Sequence, residues 1–531
     1  MGDPAASLEA EILIVGAGPT GLTLANLLGK NGMHTVVVER NPGTVDEPRA
    51  VSIDDESMRT MQAAGLDVAV EAIVARGYGS RYLGPNGDCF ALVDPVSKTF
   101  GFDKRNAFQQ PELEQVLLDG LARFDNVSCL LGHELVEFSQ SENQVSADMR
   151  RDDGSILRVN ADHMVACDGA RSEIRKILGI ELVGSTFAER WLIVDLFQTT
   201  NRFRHTEVSC NPRRPNISLP GPGGIRRYEF LLRAEEDEGL ATSEEFVRGL
   251  LREAGQDGDA PIRRKRVYTF HARVAERWRA GRVFLAGDAA HLSPPFAGQG
   301  MNSGLRDAHN LSWKLSAAVG RDVSEEFLDS YEVERKPHAL AMIQLALTMG
   351  RIMMPTSVLQ GAFVRGAFRL MGLVPRVRDY FAQMRFKPPP RFEAGLIWTE
   401  AEDGKNTMVG RLLPQPVVEL PDRNQKLLDA VLPEGPVVLV FSEFPDRQMD
   451  RALSDKFAAA GAPVIGITPE WMNPVSGAFP VVRDVSRYFS DPSFAGYLDR
   501  AILLRPDRYV AATRPVAEVQ GLLEYVSKLA P

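Results

Sequence analysis

Residues 11–21 read EILIVGAGPTG, and this stretch decides the first part of the fold. Residues 11–15 form a short apolar run that stops at Gly16, as a buried strand does when it enters a turn. Gly16 permits the tight turn, Gly18 lets the backbone approach a pyrophosphate, and Gly21 lets the following helix lie close against the strand. A helical stretch from 22 to about 31 leads to a second strand, residues 34–39, ending at Glu39. This is a βαβ unit whose helix N-terminus offers unpaired amides and a positive dipole end to phosphates. Glu39 stands 18 residues after Gly21, where an acid accepts hydrogen bonds from an adenosine ribose. The expected ligand is a dinucleotide. An acid at the ribose argues against a 2′-phosphate in this pocket and leaves NAD and FAD open.

The 531 residues allow roughly two to four domains. With 44% hydrophobic and 25% charged residues the chain is expected to fold rather than remain disordered. Its 61 basic and 70 acidic residues leave a net charge of −9, which argues against nucleic acid as a partner. No window supplies the roughly 18 apolar, uncharged residues of a membrane-crossing helix. The nearest, residues 338–350, is short and contains Gln344 and Thr348, so no membrane partner is expected. The opening MGDPAASLEAE has no basic start followed by an apolar run, and a cytoplasmic location is expected. Cys89, Cys129, Cys167 and Cys210 lie 40, 38 and 43 residues apart. That spacing fits neither a zinc site nor a dithiol motif, and no metal is expected.

Further along, residues 111–124 (PELEQVLLDGLARF) start with proline and keep leucines at helical spacing. From 181 to 270 the pattern turns β-rich, with WLIVDLF and RRYEFLL separated by PGPGG, and a helix over 243–254 opens on a serine followed by two acids. The chain returns to the first domain at RVFLA, residues 282–286, and a long helical region covers about 302–382. Lys387-Pro388-Pro389-Pro390 marks a boundary before a last α/β unit with strands at 437–441, 464–467 and 501–504. The expected organisation is therefore α/β throughout. A Rossmann-like dinucleotide-binding domain takes residues 1–180 and 271–395, an inserted sheet-based substrate domain 181–270, and a C-terminal domain 398–531.

Two later loops narrow the ligand. Residues 165–172 (VACDGARS) end a strand at an Asp-Gly turn, and residues 284–302 (FLAGDAAHLSPPFAGQGMN) run a strand into a carboxylate and then a loop rich in Gly and Pro. The ordered set GAGPTG, CDGARS and GDAAHLSPPFAGQGMN resembles the single-component, class A flavoprotein monooxygenases, the aromatic hydroxylases related to p-hydroxybenzoate hydroxylase. IDDESMRTMQ, RNAFQQP, RRYEF and LRPDRYVA bring it nearest to the hydroxyphenylpropionate and phenol hydroxylase group, from which it departs at Pro295-Phe296-Ala297.

The resemblance, which spans about residues 10–395, implies FAD as the cofactor, with NADH or NADPH as a transient electron donor. It places Asp288 on the ribityl chain, and Gly298, Gly300, Met301 and Asn302 beside the flavin pyrimidine edge. Asp168 joins the FAD and nicotinamide contacts, and Arg40, Arg49 and Gln110 are expected as further FAD contacts. The implied reaction is hydroxylation of a phenolic ring, normally beside the existing hydroxyl, by NAD(P)H and O2 through a flavin hydroperoxide. Epoxidation or Baeyer–Villiger oxidation of a larger polycyclic or antibiotic substrate is the alternative. Pro295 is expected near the reactive edge, where its carbonyl could act on the substrate hydroxyl; His291 is as readily structural as proton-carrying. On the inserted sheet, alternation puts Arg226, Tyr228 and Phe230 on one face suited to an aromatic acid, with Arg214 on a neighbouring segment. The partners expected are thus a small aromatic substrate and O2. Beyond residue 395 the chain resembles the thioredoxin-like extension of this group. It has no cysteine after Cys210, so dithiol chemistry is ruled out there and a role in homodimer contacts or stability is expected.

Overall fold

The computed structural model describes residues 7–255, 257–321, 323–400, 407–475, 477–489 and 497–529. It divides into two compact units. One comprises Met1–Ser97, Asp103–Ala308 and Ala339–Pro388, the other Lys98–Phe102, His309–His338 and Pro389–Pro531.

In the first unit, strand Ser7–Val15 lies between strands Ile156–Ala166 and Thr35–Glu39 and runs parallel to both. Strands Val127–Leu131 and Val283–Leu285 extend the parallel sheet on either side. Helix Pro19–Lys30 makes the first crossover; it starts with proline, whose missing N–H costs nothing there, and buries Leu22, Leu24 and Leu28. These five parallel strands release their chains at one edge, and the loops after Val15, Glu39, Ala166 and Leu285 meet where such sheets bind ligands.

A second, eight-stranded sheet follows the order His291–Leu292, Ile262–Ala275, Leu182–Leu196, Arg226–Leu231, Asn216–Pro220, Thr206–Ser209, Ser80–Leu83, Cys89–Val93. It is wider than the expected insertion of residues 181–270, because two strands from residues 80–93 complete its edge. Helix Glu244–Ala254 begins at Ser243, whose Oγ accepts the Phe246 amide, and buries Val247, Leu250 and Leu251 against one face. Each such side chain contributes roughly 1.5–3 kcal/mol by leaving water. The partner residues are Leu192, Val194, Leu196, Tyr228 and Phe230, so this face of the sheet is closed by its own helix. Alternation sends the other set, including Trp191, Ile217 and Val208, to the opposite face.

The second unit is a seven-stranded mixed sheet, in which Val437–Phe441, Val464–Thr468 and Val481–Asp484 are parallel and helix Arg451–Ala459 makes a crossover. Residues 98–102 and 309–338 cluster here instead of with the dinucleotide-binding part. The physical reason is a buried ion cluster. Glu334 accepts from Lys314 at 2.7 Å and from both terminal nitrogens of Arg505 at 2.7 Å, and Arg505 also pairs with Asp507 at 2.7 Å. Asn310 closes the cluster at 2.8 Å from Glu334. The two cations outweigh burial and pull the Glu334 carboxyl down to about 2.

Candidate active site

The loops at the strand ends surround a cavity of about 730 Å³ in the first unit. Its nucleotide end is built from backbone. Gly16 has φ +108°, and a Cβ there would lie 2.3 Å from the Cys167 carbonyl oxygen. At Gly21 a Cβ would meet the Gly16 carbonyl at 2.0 Å, which is why the helix can pass so close to the strand; Gly21 itself does not line the cavity. Gly18 faces open space, as a backbone that must approach a ligand requires. Glu39 is oriented by the Ala17 and Asn41 amides, each 3.0 Å from its carboxylate, and lines the cavity together with Arg40 and Arg49.

Two further carboxylates line this space. Asp168 accepts the Ile174 amide at 3.3 Å through one oxygen, while the other is buried with no hydrogen-bond partner among the described residues. Burial raises its pKa. Asp288 opens into the cavity, and its enclosed position likewise raises its pKa against the opposing pull of His291 and Arg49. An orphaned acceptor, an open glycine backbone and a helix N-terminus at Gly300 together fit a dinucleotide whose ribityl and ribose hydroxyls donate and whose phosphates accept.

The loop from Pro294 to the helix at Gly300 is held from three sides. Asn302 is fully buried and does not line the cavity. Its Nδ2 donates to the Ser52 and Gly298 carbonyls at 3.0 and 2.7 Å, and its Oδ1 accepts the Asp54 amide at 3.0 Å. Arg306 binds Asp54, Glu56 and Gln299, while Lys387 reaches Glu56 at 2.6 Å and Asp54 at 3.0 Å. Burial alone would raise Asp54, yet the two cations bring it below the usual carboxylate range; the neighbouring Asp55 is pushed up to about 7, chiefly by burial. Finally, the Phe296 ring packs edge-on against Trp191 at 5.7 Å and Phe270 at 5.8 Å.

The sheet face opposite its covering helix forms the other wall. The registers align Tyr82 with Val208, Val208 with Ile217, and Ile217 with Glu229. They also align Ser80 with Thr206 and Leu219 with Arg227. Met349 and Met353 line the same space. Arg227 is saturated: it binds Asp195 at 2.7 Å and the Pro48 and Arg49 carbonyls. The Glu229 side chain is buried and its carboxyl makes no hydrogen bond to any described residue; burial pushes its pKa up to about 7 against the pull of Arg227.

Among the residues singled out in the sequence, Gly16, Gly18, Glu39, Arg40, Arg49, Gln110, Asp168, Asp288, Pro295, Gly298, Gly300 and Met301 all line this one cavity. Gln110 is spent on its surroundings, accepting the Ala50 amide at 2.7 Å and donating to Glu114 at 2.7 Å. The Pro295 carbonyl accepts the Gly298 amide at 2.8 Å within its own turn, which fixes the carbonyl's direction and leaves it a second lone pair. His291 is buried against Asp307 at 2.7 Å, a structural pair. Arg214, Arg226 and Tyr228 are not in the cavity. Arg214 is paired with Glu236 at 2.5 Å, Arg226 donates to Ser218 at 2.7 Å, and the Tyr228 hydroxyl donates to Asp257 at 2.9 Å. The period of two was right but the face was reversed, because the helix at 244–254 claims the Tyr228 side. Tyr78, Ser80, Tyr82, Arg105 and Glu229 line the cavity and were missed. For Glu229 the signal was the other half of the same alternation.

Residues 9–346 match the FAD binding domain family, and residues 410–529 the HcaD C-terminal domain. The chain is 39% identical over 515 residues to a 3-(3-hydroxyphenyl)propionate/3-hydroxycinnamic acid hydroxylase of Klebsiella pneumoniae, covering 96% of this chain and 92% of that one. It is 41% identical over 528 residues to the enzyme of the same name from Burkholderia cenocepacia, covering 97% and 95%. Among solved structures, the flavin-dependent monooxygenase PieE in complex with FAD and substrate superposes with a TM-score of 0.82 at 22% identity, over 99% of this chain and 100% of that one. A cavity at the glycine-loop end of the parallel sheet with Glu39 in its lining, a second sheet as its far wall and these likenesses lead to one conclusion: the chain belongs to the FAD-dependent monooxygenases that hydroxylate aromatic rings.

Proposed function

We propose that this enzyme hydroxylates a monocyclic phenolic acid of the 3-(3-hydroxyphenyl)propanoate or 3-hydroxycinnamate type beside its ring hydroxyl. The observation that carries the reading is the wall of apolar side chains from separate strands, Val208, Ile217 and Leu219 with Met349 and Met353, that faces the dinucleotide loops across one cavity. FAD, when bound, supplies electron transfer from NAD(P)H and the activation of O2. In this reading Asp288 and Asp168 hold the hydroxyl-rich tail of the cofactor, Glu39 the adenosine ribose, and Arg40 and Arg49 the phosphates. The first amides of the helix at Gly300 would face the edge of the ring, where they would favour negative charge. The apolar wall excludes water and orients the substrate ring, and Pro295 fixes the approach of the loop. The C-terminal sheet is read as a thioredoxin-like module without dithiol function, serving stability or contact between two copies. Epoxidation or Baeyer–Villiger oxidation of a polycyclic substrate is less well supported, since the two relatives described above, at 39% and 41% identity, are named for single-ring acids.

The test is a spectrum followed by turnover. The purified protein is expected to carry flavin absorbance. With 3-(3-hydroxyphenyl)propanoate it should consume NAD(P)H and O2 and give a product one oxygen heavier, with adjacent hydroxyls. Asp288→Ala is expected to lower FAD affinity roughly 10- to 100-fold, the loss of one or two hydrogen bonds to a charged group. A wild-type enzyme whose NAD(P)H oxidation is stimulated by no phenolic acid would overturn the substrate assignment, and unchanged flavin occupancy in Asp288→Ala would overturn that residue's role.

A further inference from the structure

Arg105 sits on strand Arg105–Ala107 of a small three-stranded sheet and reaches the cavity wall. Its Nη1 donates to Ser80 Oγ at 2.5 Å and its Nη2 to the Tyr78 hydroxyl at 3.1 Å, with the guanidinium carbon 4.3 Å from the centre of the Tyr78 ring. Ser80 and Tyr78 are both about 3% exposed, so the guanidinium is held by fixed, buried neutral partners. Among the described residues no carboxylate pairs with it. Arg227 on the same wall, by contrast, has Asp195, and the nearby Arg306 has Asp54 and Glu56. A half-buried cation oriented by a hydroxyl and an aromatic face, with its counter-ion missing, is a built receptor for an anion.

Glu229 is the complementary feature. Its carboxyl lies on the same sheet face, lines the same cavity and has no hydrogen-bond partner among the described residues. The strand of Ser80 and the strand of Glu229 are separated by the two strands Thr206–Ser209 and Asn216–Pro220. Three strand spacings of about 4.8 Å make on the order of 14 Å between the two columns. Glu229 stands in the row of Ile217, Val208 and Tyr82, two residues along the strands from the row of Ser80 and Thr206, so the two groups face each other diagonally across the wall, an arrangement suited to a ligand with an anion at one end and a donor at the other.

Resting on the reading of the substrate given above, we propose that Arg105, steered by Ser80 and Tyr78, binds the substrate carboxylate, and that Glu229 accepts the hydrogen bond of the ring hydroxyl. A ring bearing a meta hydroxyl and a two-carbon acid chain bridges that gap. A hydroxybenzoate, whose carboxylate is attached directly to the ring, is too short to reach both ends. The two residues therefore set chain length as well as charge, and they are specificity determinants drawn from strands far apart in sequence.

The test measures binding to the oxidised, FAD-loaded enzyme by calorimetry, with FAD content reporting the integrity of each variant. The ligands are 3-(3-hydroxyphenyl)propanoate, 3-ethylphenol, which lacks the carboxylate, 3-phenylpropanoate, which lacks the hydroxyl, and 3-hydroxybenzoate. Wild type is expected to bind the first most tightly. Arg105→Met should weaken it roughly 10- to 100-fold while leaving 3-ethylphenol unchanged, and Arg105→Lys should fall between, keeping the charge and losing the fork. Glu229→Leu should abolish the preference for 3-(3-hydroxyphenyl)propanoate over 3-phenylpropanoate. An Arg105→Met enzyme that holds the acid as tightly as wild type, or loses acid and 3-ethylphenol equally, overturns the anchor, and a preference for the hydroxyl that survives in Glu229→Leu overturns its partner. If wild type binds the acid but prefers 3-hydroxybenzoate, the two-ended arrangement falls while the hydroxylase reading stands. If it binds no aromatic acid, both fall together.

Discussion

Glu229 and Glu334 are the same residue type, both buried, in different units of the molecule, and their surroundings push them in opposite directions. Glu334 has a lysine and an arginine within 2.7 Å and is drawn down to about 2. Glu229 has no hydrogen-bond partner among the described residues and is pushed up to about 7, with burial prevailing over Arg227. A carboxylate whose partners are all internal is a structural brace, whereas one left open toward a cavity is poised for a partner that arrives from outside. The difference separates architecture from chemistry more sharply than burial or residue type does.

The largest effect that would sharpen the contrast is at the brace. Glu334→Ala leaves Lys314 and Arg505 buried without their shared counter-ion, and a stability loss of roughly 3–5 kcal/mol is expected in chemical denaturation. The wild-type contribution is present above the unfolded value near 4.5 and is lost as pH falls toward about 2, so the gap between the two proteins should narrow with acidification.

Glu229 should show the reverse sign. Its folded pKa is raised, so its contribution is complete below about 4.5 and is lost as pH rises through about 7. In the ligand-free enzyme Glu229→Gln is expected to be more stable than wild type at pH 8, by on the order of 1–3 kcal/mol, with the difference vanishing near pH 4. The charged groups facing it are Arg227 on its own strand and Asp195 on the adjacent one. A pH-independent difference would break the comparison.

The smallest expected effect concerns the covered face. Tyr228→Phe removes the hydrogen bond to Asp257 and should cost about 1 kcal/mol, with ligand affinity unchanged. A change in affinity would return Tyr228 to the substrate site.

The nucleotide end of the cavity was legible in the sequence because it is made of backbone. Gly16 and Gly21 are demanded by close backbone approach, Gly18 leaves open space between them, and each motif carries its own strand and helix start. The substrate wall is made of single side chains contributed by separate strands, and its pattern gave the period but not the face. RRYEF offers Arg226 and Tyr228 to one side and Arg227 and Glu229 to the other, and both sets contain an arginine and a second polar group. Only the helix at 244–254, lying across one side, breaks that symmetry. Arg105 gave no local signal. What distinguishes it from Arg227 is a missing counter-ion, and that is a property of three-dimensional neighbours. The membership of residues 309–338 in the second unit was equally hidden, since Glu334 and Arg505 are 171 positions apart.

Because Ser80, Thr206, Ile217 and Glu229 each sit on a different strand of one wall, every position can change without altering its neighbours' backbone pairing. Ligand preference in such an enzyme can drift by single codons, a methyl group traded here and a hydroxyl there, while the redox machinery in the glycine loops is inherited intact. That modularity gives evolution a dial for substrate range that it can turn without risking the cofactor.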